Sequence, residues 1–326
     1  MKQVLVILVT GLLCVSCEQI GGLSGTNAKK ATREVHGLNG PIHSVSVATA
    51  APVDKNGTWE PGEQQLASVD SYDKTGNRTE RVVYAADGTI SSKIVFTYDD
   101  QGNETEATWY NANGTSESRL VSTYNAEGRR TEARSYTAEG TLIRRTAFTY
   151  NAQGNETAAH GYTPEGALES RTVSTYDDKG NLEATAWYYA DGKQGGQITY
   201  KYDSKGTRLS SSTFDSAPDG ALQSRMDITY DVRGNPTEVM WYGDNSTVKK
   251  RETSTYRYDI FGNWTQRTTT TWVSTDSKSF FEPPVVSYRT LTYYGKGAGL
   301  SGANASPLPT QLRTVSSCRA FRFSAT

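Results

Sequence analysis

Three sets of residues recur at a fixed period in this chain, and each suits a particular chemistry. The first is an Asp or Asn three residues before a Gly, seen in Asp99-Asp100-Gln101-Gly102 and again at Asn125 and Asn151. Aligned carboxylates and turn carbonyls suit a hard cation such as Ca²⁺. The same side chain equally suits a β-turn, where it accepts hydrogen bonds from backbone N–H groups two residues on. Two neutral Asn in the column serve a turn as well as Asp but weaken a cation site, so the turn is the expected role and no metal is expected. The second set is Trp109, Trp187 and Trp241. Flat rings with a polar edge stack on sugars, and the turn does not require them, so they are the candidate ligand-binding residues. The third set is charged. Glu80, Glu106, Glu132 and Glu238 share one column, and Lys93, Arg119, Arg145, Arg171 and Arg225 another. Paired carboxylates can hydrolyse glycosides, but each of these is a repeat position, and exposed cross-strand pairing or solvation is expected instead.

Catalysis has little else to draw on. His36, His43 and His160 are the only histidines. No serine nucleophile elbow, phosphate-binding glycine loop or His/Cys ligand cluster is present in the sequence. A non-enzyme without cofactor is expected.

The elements that position these columns are turns and short strands. The glycines Gly76, Gly102, Gly128, Gly154, Gly180, Gly206, Gly234 and Gly262 are spaced 26 residues apart five times and then 28 twice. Four residues before each sits a Tyr, from Tyr72 and Tyr98 through to Tyr258, and three before sits Asp or Asn. A type I turn with Gly in the left-handed position makes the one-residue bulge that joins two antiparallel strands. In Tyr98-Asp99-x-x-Gly102-Asn103 the Tyr is a β-former flanking that turn. A second set of turns lies halfway, at Tyr84…Gly88, Tyr110…Gly114, Tyr136…Gly140, Tyr162…Gly166 and Tyr188…Gly192. Turns at such spacing predict an all-β antiparallel meander of about 18 strands, each roughly eight residues long. A twisted sheet of that width coils on itself into a barrel or a spiral. Val69, Val95, Val121 and Val173 fall in one column, and Ile94, Leu120, Ile198 and Met226 in the next. A three-residue bulged loop is expected, with the Tyr columns of both sets of turns on one face. The segments Asp54–Gly57 and Pro61-Gly62 read as loop, and the first strand pair as an end cap of the array.

The ends differ in composition. Lys2, the apolar run Val4–Leu13 and then Cys14-Val15-Ser16-Cys17 read as an export signal with Cys17 as a lipidation site. Ten apolar residues are too few to span a bilayer. The expected organisation is a lipoprotein signal peptide over 1–17, a flexible tether over 18–34, a repeat domain over 35–294 and a low-complexity, disordered tail over 295–326, with a short strand near 319–323. With three cysteines, two of them in the signal region, no disulfide framework is available. A formal net charge of −1 gives no basic surface for nucleic acid.

Phe96-Thr97-Tyr98-Asp99-Asp100-Gln101-Gly102-Asn103 and Phe148-Thr149-Tyr150-Asn151-Ala152-Gln153-Gly154-Asn155 resemble the YD repeat of RHS-type proteins. The resemblance covers about residues 65–294. Large members of that family coil a β-sheet into a hollow shell, and carbohydrate binding is often suggested for their repeats. This chain is similar to small exported lipoproteins carrying such repeats. The resemblance implies a bacterial cell-envelope protein, facing the periplasm or the exterior, attached to a membrane by an N-terminal lipid. Its expected role is binding or scaffolding toward an envelope protein or a glycan.

Overall fold

In the computed structural model the residues described are 31–216, 222–243, 246–275 and 278–295. Cys17, the signal peptide, residues 18–30 of the tether, the tail from residue 296 and Cys318 lie outside them. Residues Thr32–Val35 form one turn of helix, α1, so the described chain begins inside the segment expected as tether. Nineteen strands follow. The first two are long, β1 (Ile42–Lys55) and β2 (Thr58–Tyr72). Then come β3 (Arg78–Tyr84), β4 (Ile90–Tyr98), β5 (Glu104–Asn111), β6 (Ser116–Tyr124), β7 (Arg130–Thr137), β8 (Leu142–Tyr150), β9 (Glu156–Tyr162), β10 (Leu168–Tyr176), β11 (Leu182–Tyr189), β12 (Gln194–Tyr202), β13 (Arg208–Ser216), β14 (Leu222–Tyr230), β15 (Pro236–Tyr242), β16 (Val248–Tyr258), β17 (Trp264–Ser274), β18 (Ser279–Phe281) and β19 (Val285–Tyr293).

From β1 to β18 every strand pairs antiparallel with the next, as an all-β meander should. The last strand, β19, pairs with both β17 and β1, which closes the sheet into an 18-strand barrel. The three residues of β18 pair only with the end of β17 and stand outside the ring. Closure removes both sheet edges, which would otherwise offer unpaired backbone groups to other chains. The first strand pair is therefore not the end cap expected of an open array; β1 is the strand on which the ring shuts. Nor is Pro61-Gly62 a loop. The β1–β2 hairpin turns on Asn56-Gly57, both at positive φ, and Pro61 pairs with Pro52 inside the ladder beside a register shift.

The turns follow the Asp-x-x-Gly chemistry. Gly102 N–H donates to the Asp99 carbonyl at 2.8 Å and Asp99 N–H to the Asn103 carbonyl at 2.9 Å, with Gly102 at φ +74°. All eight copies repeat this bonding. These turns make one rim of the barrel, the Asp rim. The halfway turns make the far rim, where Ser246 takes the positive-φ place in the β15–β16 turn.

The loops are the expected three-residue bulged kind, but the two Tyr columns lie on opposite faces. The cause is a second register shift just past each turn. Thr97 pairs with Glu106 whereas Tyr98 pairs with Glu104. The extra residue flips the alternation, because side-chain period in a strand is two. Tyr72, Tyr98 and Tyr124 consequently share a face with Phe96, Ala107 and Ser122, all three of which are buried. Tyr110 and Tyr136 share the other face with Lys93 and Arg119. Burial raises the hydroxyls of Tyr98, Tyr150 and Tyr176 to about 12. In a closed single sheet the concave side crowds its side chains, so the face of Tyr98 is the inner wall and that of Tyr110 the outer.

The compact centre of packing sits where the ring shuts. Leu38, which follows α1, packs with Ile42, Val45, Tyr72 and Leu291, bringing β1, β2 and β19 together over one apolar cluster. His36 Nδ1 lies 3.2 Å from the Tyr72 hydroxyl, and Asn39 N–H donates to Asn263 Oδ1 at 2.8 Å. The segment before β1 is thereby fastened to the inner wall at the Asp rim.

Candidate functional site

Each Asp of the turn column is occupied by its own turn. Asp99 Oδ1 accepts Gln101 N–H at 3.0 Å and Asn103 N–H at 2.7 Å, and Oδ2 accepts Asn103 Nδ2 at 2.6 Å. Where the pKa moves, as at Asp73, Asp177, Asp203 and Asp231, it moves down. At Asp177 the first cause is the Asn181 side chain, and at Asp203 the backbone N–H of Thr207. Among the described residues no group of three or more His, Cys, Asp or Glu is arranged to hold a metal ion.

The turn also reaches its neighbour. The Tyr98 hydroxyl donates to the Arg78 carbonyl at 2.7 Å, and Tyr124, Tyr150 and Tyr176 do the same to Glu104, Arg130 and Glu156. From Gly102 to Gly206, the residue after one turn Gly lies against the next turn. A Cβ placed on Gly102 would meet Asn77 at 3.5 Å, and one on Gly128 would meet Asn103 at 3.5 Å. Asn103 is 1% exposed. Over these copies the Asp rim is thus a chain of clasps, a role invisible in any single copy of the motif.

On the outer wall the charged columns pair. Lys93 Nζ is 3.7 Å from Glu80, Arg119 3.4 Å from Glu106 and Arg145 2.9 Å from Glu132. Each cation also lies over the next Tyr ring: Lys93 over Tyr110 at 5.2 Å, Arg119 over Tyr136 at 4.9 Å, Arg145 over Tyr162 at 4.3 Å. These are solvated structural triads, each component worth about 0.5–1 kcal/mol.

The three tryptophans are on the inner wall at one level. Trp109 pairs with Ile94, Trp187 with Gly196 and Trp241 with Met226. They do not form a continuous platform. β5 and β11 are six strands apart and β11 and β15 four, so at ~4.8 Å per strand the indoles are about 29 and 19 Å apart along the wall. They ring the lumen instead. Trp187 lies flat over two glycines: a Cβ on Gly196 would be 2.1 Å from its Cζ2, and one on Gly195 2.7 Å from its Cδ1. Only Gly-Gly leaves room for the ring there. Lys250 Nζ stands 4.6 Å from the Trp241 ring.

A second concave place was missed by sequence reasoning. At the Asp rim a cavity of about 580 Å³ is lined by Asn39, Arg233, Asn235, Asp259, Phe261 and Trp264 among others. It forms only because the segment before β1 folds against the β16–β17 turn, a contact of 224 residues' separation. Its polar groups are largely engaged: the Tyr293 hydroxyl donates to Asp259, and Asn235 Nδ2 lies 3.2 Å from the Tyr258 hydroxyl.

No family model and no curated protein matches the chain. Among solved structures it is similar to a porin-like protein from Bacteroides uniformis, at 10% identity and a TM-score of 0.41 over 78% of this chain and 98% of that one. A porin-like protein from Bacteroides vulgatus matches at 11% identity and a TM-score of 0.34, over 78% and 99% of the two chains. The Photorhabdus luminescens Tc holotoxin pore matches at 11% and 0.23, this chain spanning 20% of its length. At these values none of the three fixes a function.

Proposed function

We propose that this chain is a lipid-anchored bacterial envelope module that binds an elongated ligand inside its barrel and performs no chemistry on it. The observation that carries the reading is the ring of Trp109, Trp187 and Trp241 on the inner wall of an 18-strand barrel. Closed sheets of 16–18 strands are wide enough to leave an aqueous channel, and here the channel wall carries aromatic rings that the turns do not require. Flat rings around a wet lumen favour a glycan as the ligand class; a protein segment threading or capping the barrel is the scaffolding alternative. The resemblance to RHS/YD-repeat proteins, carried by an eightfold Tyr-Asp/Asn-x-x-Gly pattern, accords with this reading.

The barrel wall itself is not lipid-facing. Lys93, Arg119, Arg145 and Arg171 stand mid-strand on its outer face, where each would cost about 2–4 kcal/mol at a bilayer midplane. The repeat strands β3 to β15 run seven to nine residues, at or below the lower end of the ~9–11 a spanning strand needs. Membrane attachment therefore falls to a lipid on Cys17, with residues 1–17 as signal peptide and the following residues as tether. Glycan-array binding by the full chain, compared with a Trp109→Ala/Trp187→Ala variant, tests the ligand class. An envelope pull-down that recovers one stoichiometric protein and no glycan would favour scaffolding instead.

A further inference from the structure

The inner wall at the closure seam carries four arginines around one carboxylate. Arg81 pairs directly with Asp70, and Arg78 with Tyr72. Val47 pairs with Ser68 on one side and Arg289 on the other, and Arg267 pairs with Ser287, two residues from Arg289 on the same face. Five neighbouring strands, β17, β19, β1, β2 and β3, thus turn these side chains to one patch of wall.

The pairing within the patch is incomplete. Asp70 is 3.4 Å from Arg78 and 3.9 Å from Arg81. Arg267 Nε donates to Thr269 Oγ1 at 3.0 Å, a neutral partner. Arg289 stacks its guanidinium 3.8 Å from the Trp264 ring. The Nε atoms of Arg289 and Arg78 are both buried with no hydrogen-bond partner. A buried guanidinium N–H left without an acceptor is costly, and one carboxylate does not balance four cations. The chemistry that relieves it is an oxyanion, since guanidinium forks bind carboxylate and phosphate oxygens bidentately.

Other titratable groups facing the patch add no negative charge. Burial, then Arg78, Arg81 and Arg289, lowers His36 to about 4, so it is neutral at pH 7. Burial raises the Tyr72 hydroxyl, and that of Tyr256 follows the same cause. Arg289 is brought down to about 10, first by burial.

We propose that this arginine patch is a binding site for one anionic group, a phosphate or a carboxylate, carried by the ligand that enters the barrel. The proposal rests on the reading that the lumen holds a ligand, and refines it: the ligand is acidic, with its anionic group at the seam and its neutral body along the aromatic ring.

The test uses the full chain and thermal melts in inorganic phosphate against sodium chloride at matched ionic strength. Phosphate should raise Tm by about 3 °C or more. Arg289 is half-buried against Trp264 and its substitution perturbs the packing of the seam, so the deciding variants are Arg81→Gln and Arg267→Gln, whose folding is checked by circular dichroism. Both should lose at least half of the phosphate shift, and Asp70→Asn should bind phosphate about threefold more tightly by removing the competing carboxylate. Equal Tm in the two salts, or full retention of the shift in both arginine variants, overturns the site. Titration with oligogalacturonate and with neutral maltohexaose separates the sources. Tighter binding of the acidic oligomer than of phosphate identifies an acidic glycan. Binding of phosphate with neither sugar sustains the anion site while removing the glycan reading of the lumen.

Discussion

The Tyr98 hydroxyl donates a 2.7 Å hydrogen bond to the carbonyl of Arg78, a residue of the preceding hairpin. The contact recurs with the same separation of 20 residues at Tyr124, Tyr150 and Tyr176. It makes the Tyr of the repeat a fastener between hairpins as well as a strand residue. Tyr98→Phe keeps the ring and removes the bond, so it should destabilise by about 1 kcal/mol in urea melts. Because Tyr98 and Tyr176 sit on strands six apart in the ring, the double Phe variant should show the sum of the single effects. A double variant no worse than either single would show that the clasps do not act independently.

Gly102 sits at φ +74° with open space around it apart from Asn77. Gly102→Ala should therefore cost about 1–2 kcal/mol from backbone conformation alone. Gly102→Asn should cost less, because Asn tolerates the left-handed region. An Ala variant as stable as wild type would contradict the turn geometry.

His36 supplies a pH signature. Its folded pKa, lowered to about 4 by burial and three arginines, lies below the unfolded value of 6.5. Between these values the unfolded chain binds a proton that the folded chain does not, so stability falls as pH drops from 6.5 toward 4. Allowing for partial exposure of the ring, the loss is about 1–2 kcal/mol. Burial also raises Glu156, which acts in the opposite sense, so the measurement is the difference between wild type and His36→Gln. That difference should change with pH through this window; a flat difference would place His36 in solvent.

Much of this architecture is legible from local chemistry. The turns are readable because Asp-x-x-Gly satisfies its own hydrogen bonds within five residues, and the Trp column because the period is fixed. The side on which the far-rim Tyr fall is not readable. It depends on a register shift at Glu104-Thr105, where nothing in the residue types marks an extra residue. Closure of β1 on β19 is equally hidden, since Val45 and Leu291 meet across almost the whole domain and carry no motif. The arginine patch follows from that closure: Arg81 and Arg289 are ordinary strand residues until the ring shuts.

Membrane attachment has its own test. Cys17→Ser should move the protein from the membrane to the soluble fraction, because acyl burial at about 0.8 kcal/mol per CH₂ is the only anchor proposed. A variant still in the membrane pellet after a salt wash would refute the lipid anchor.

The central claim is that the inner wall holds the ligand. Its most direct measurement is a fluorescence titration of the full chain, and of Trp109→Ala/Trp187→Ala, with oligosaccharides recovered from a glycan array. The account predicts saturable quenching of tryptophan emission in the wild type. It predicts a loss of affinity of about tenfold or more in the variant, some 1.4 kcal/mol, with Tm little changed. No oligosaccharide binding to the wild type, or equal affinity in the variant, would contradict it.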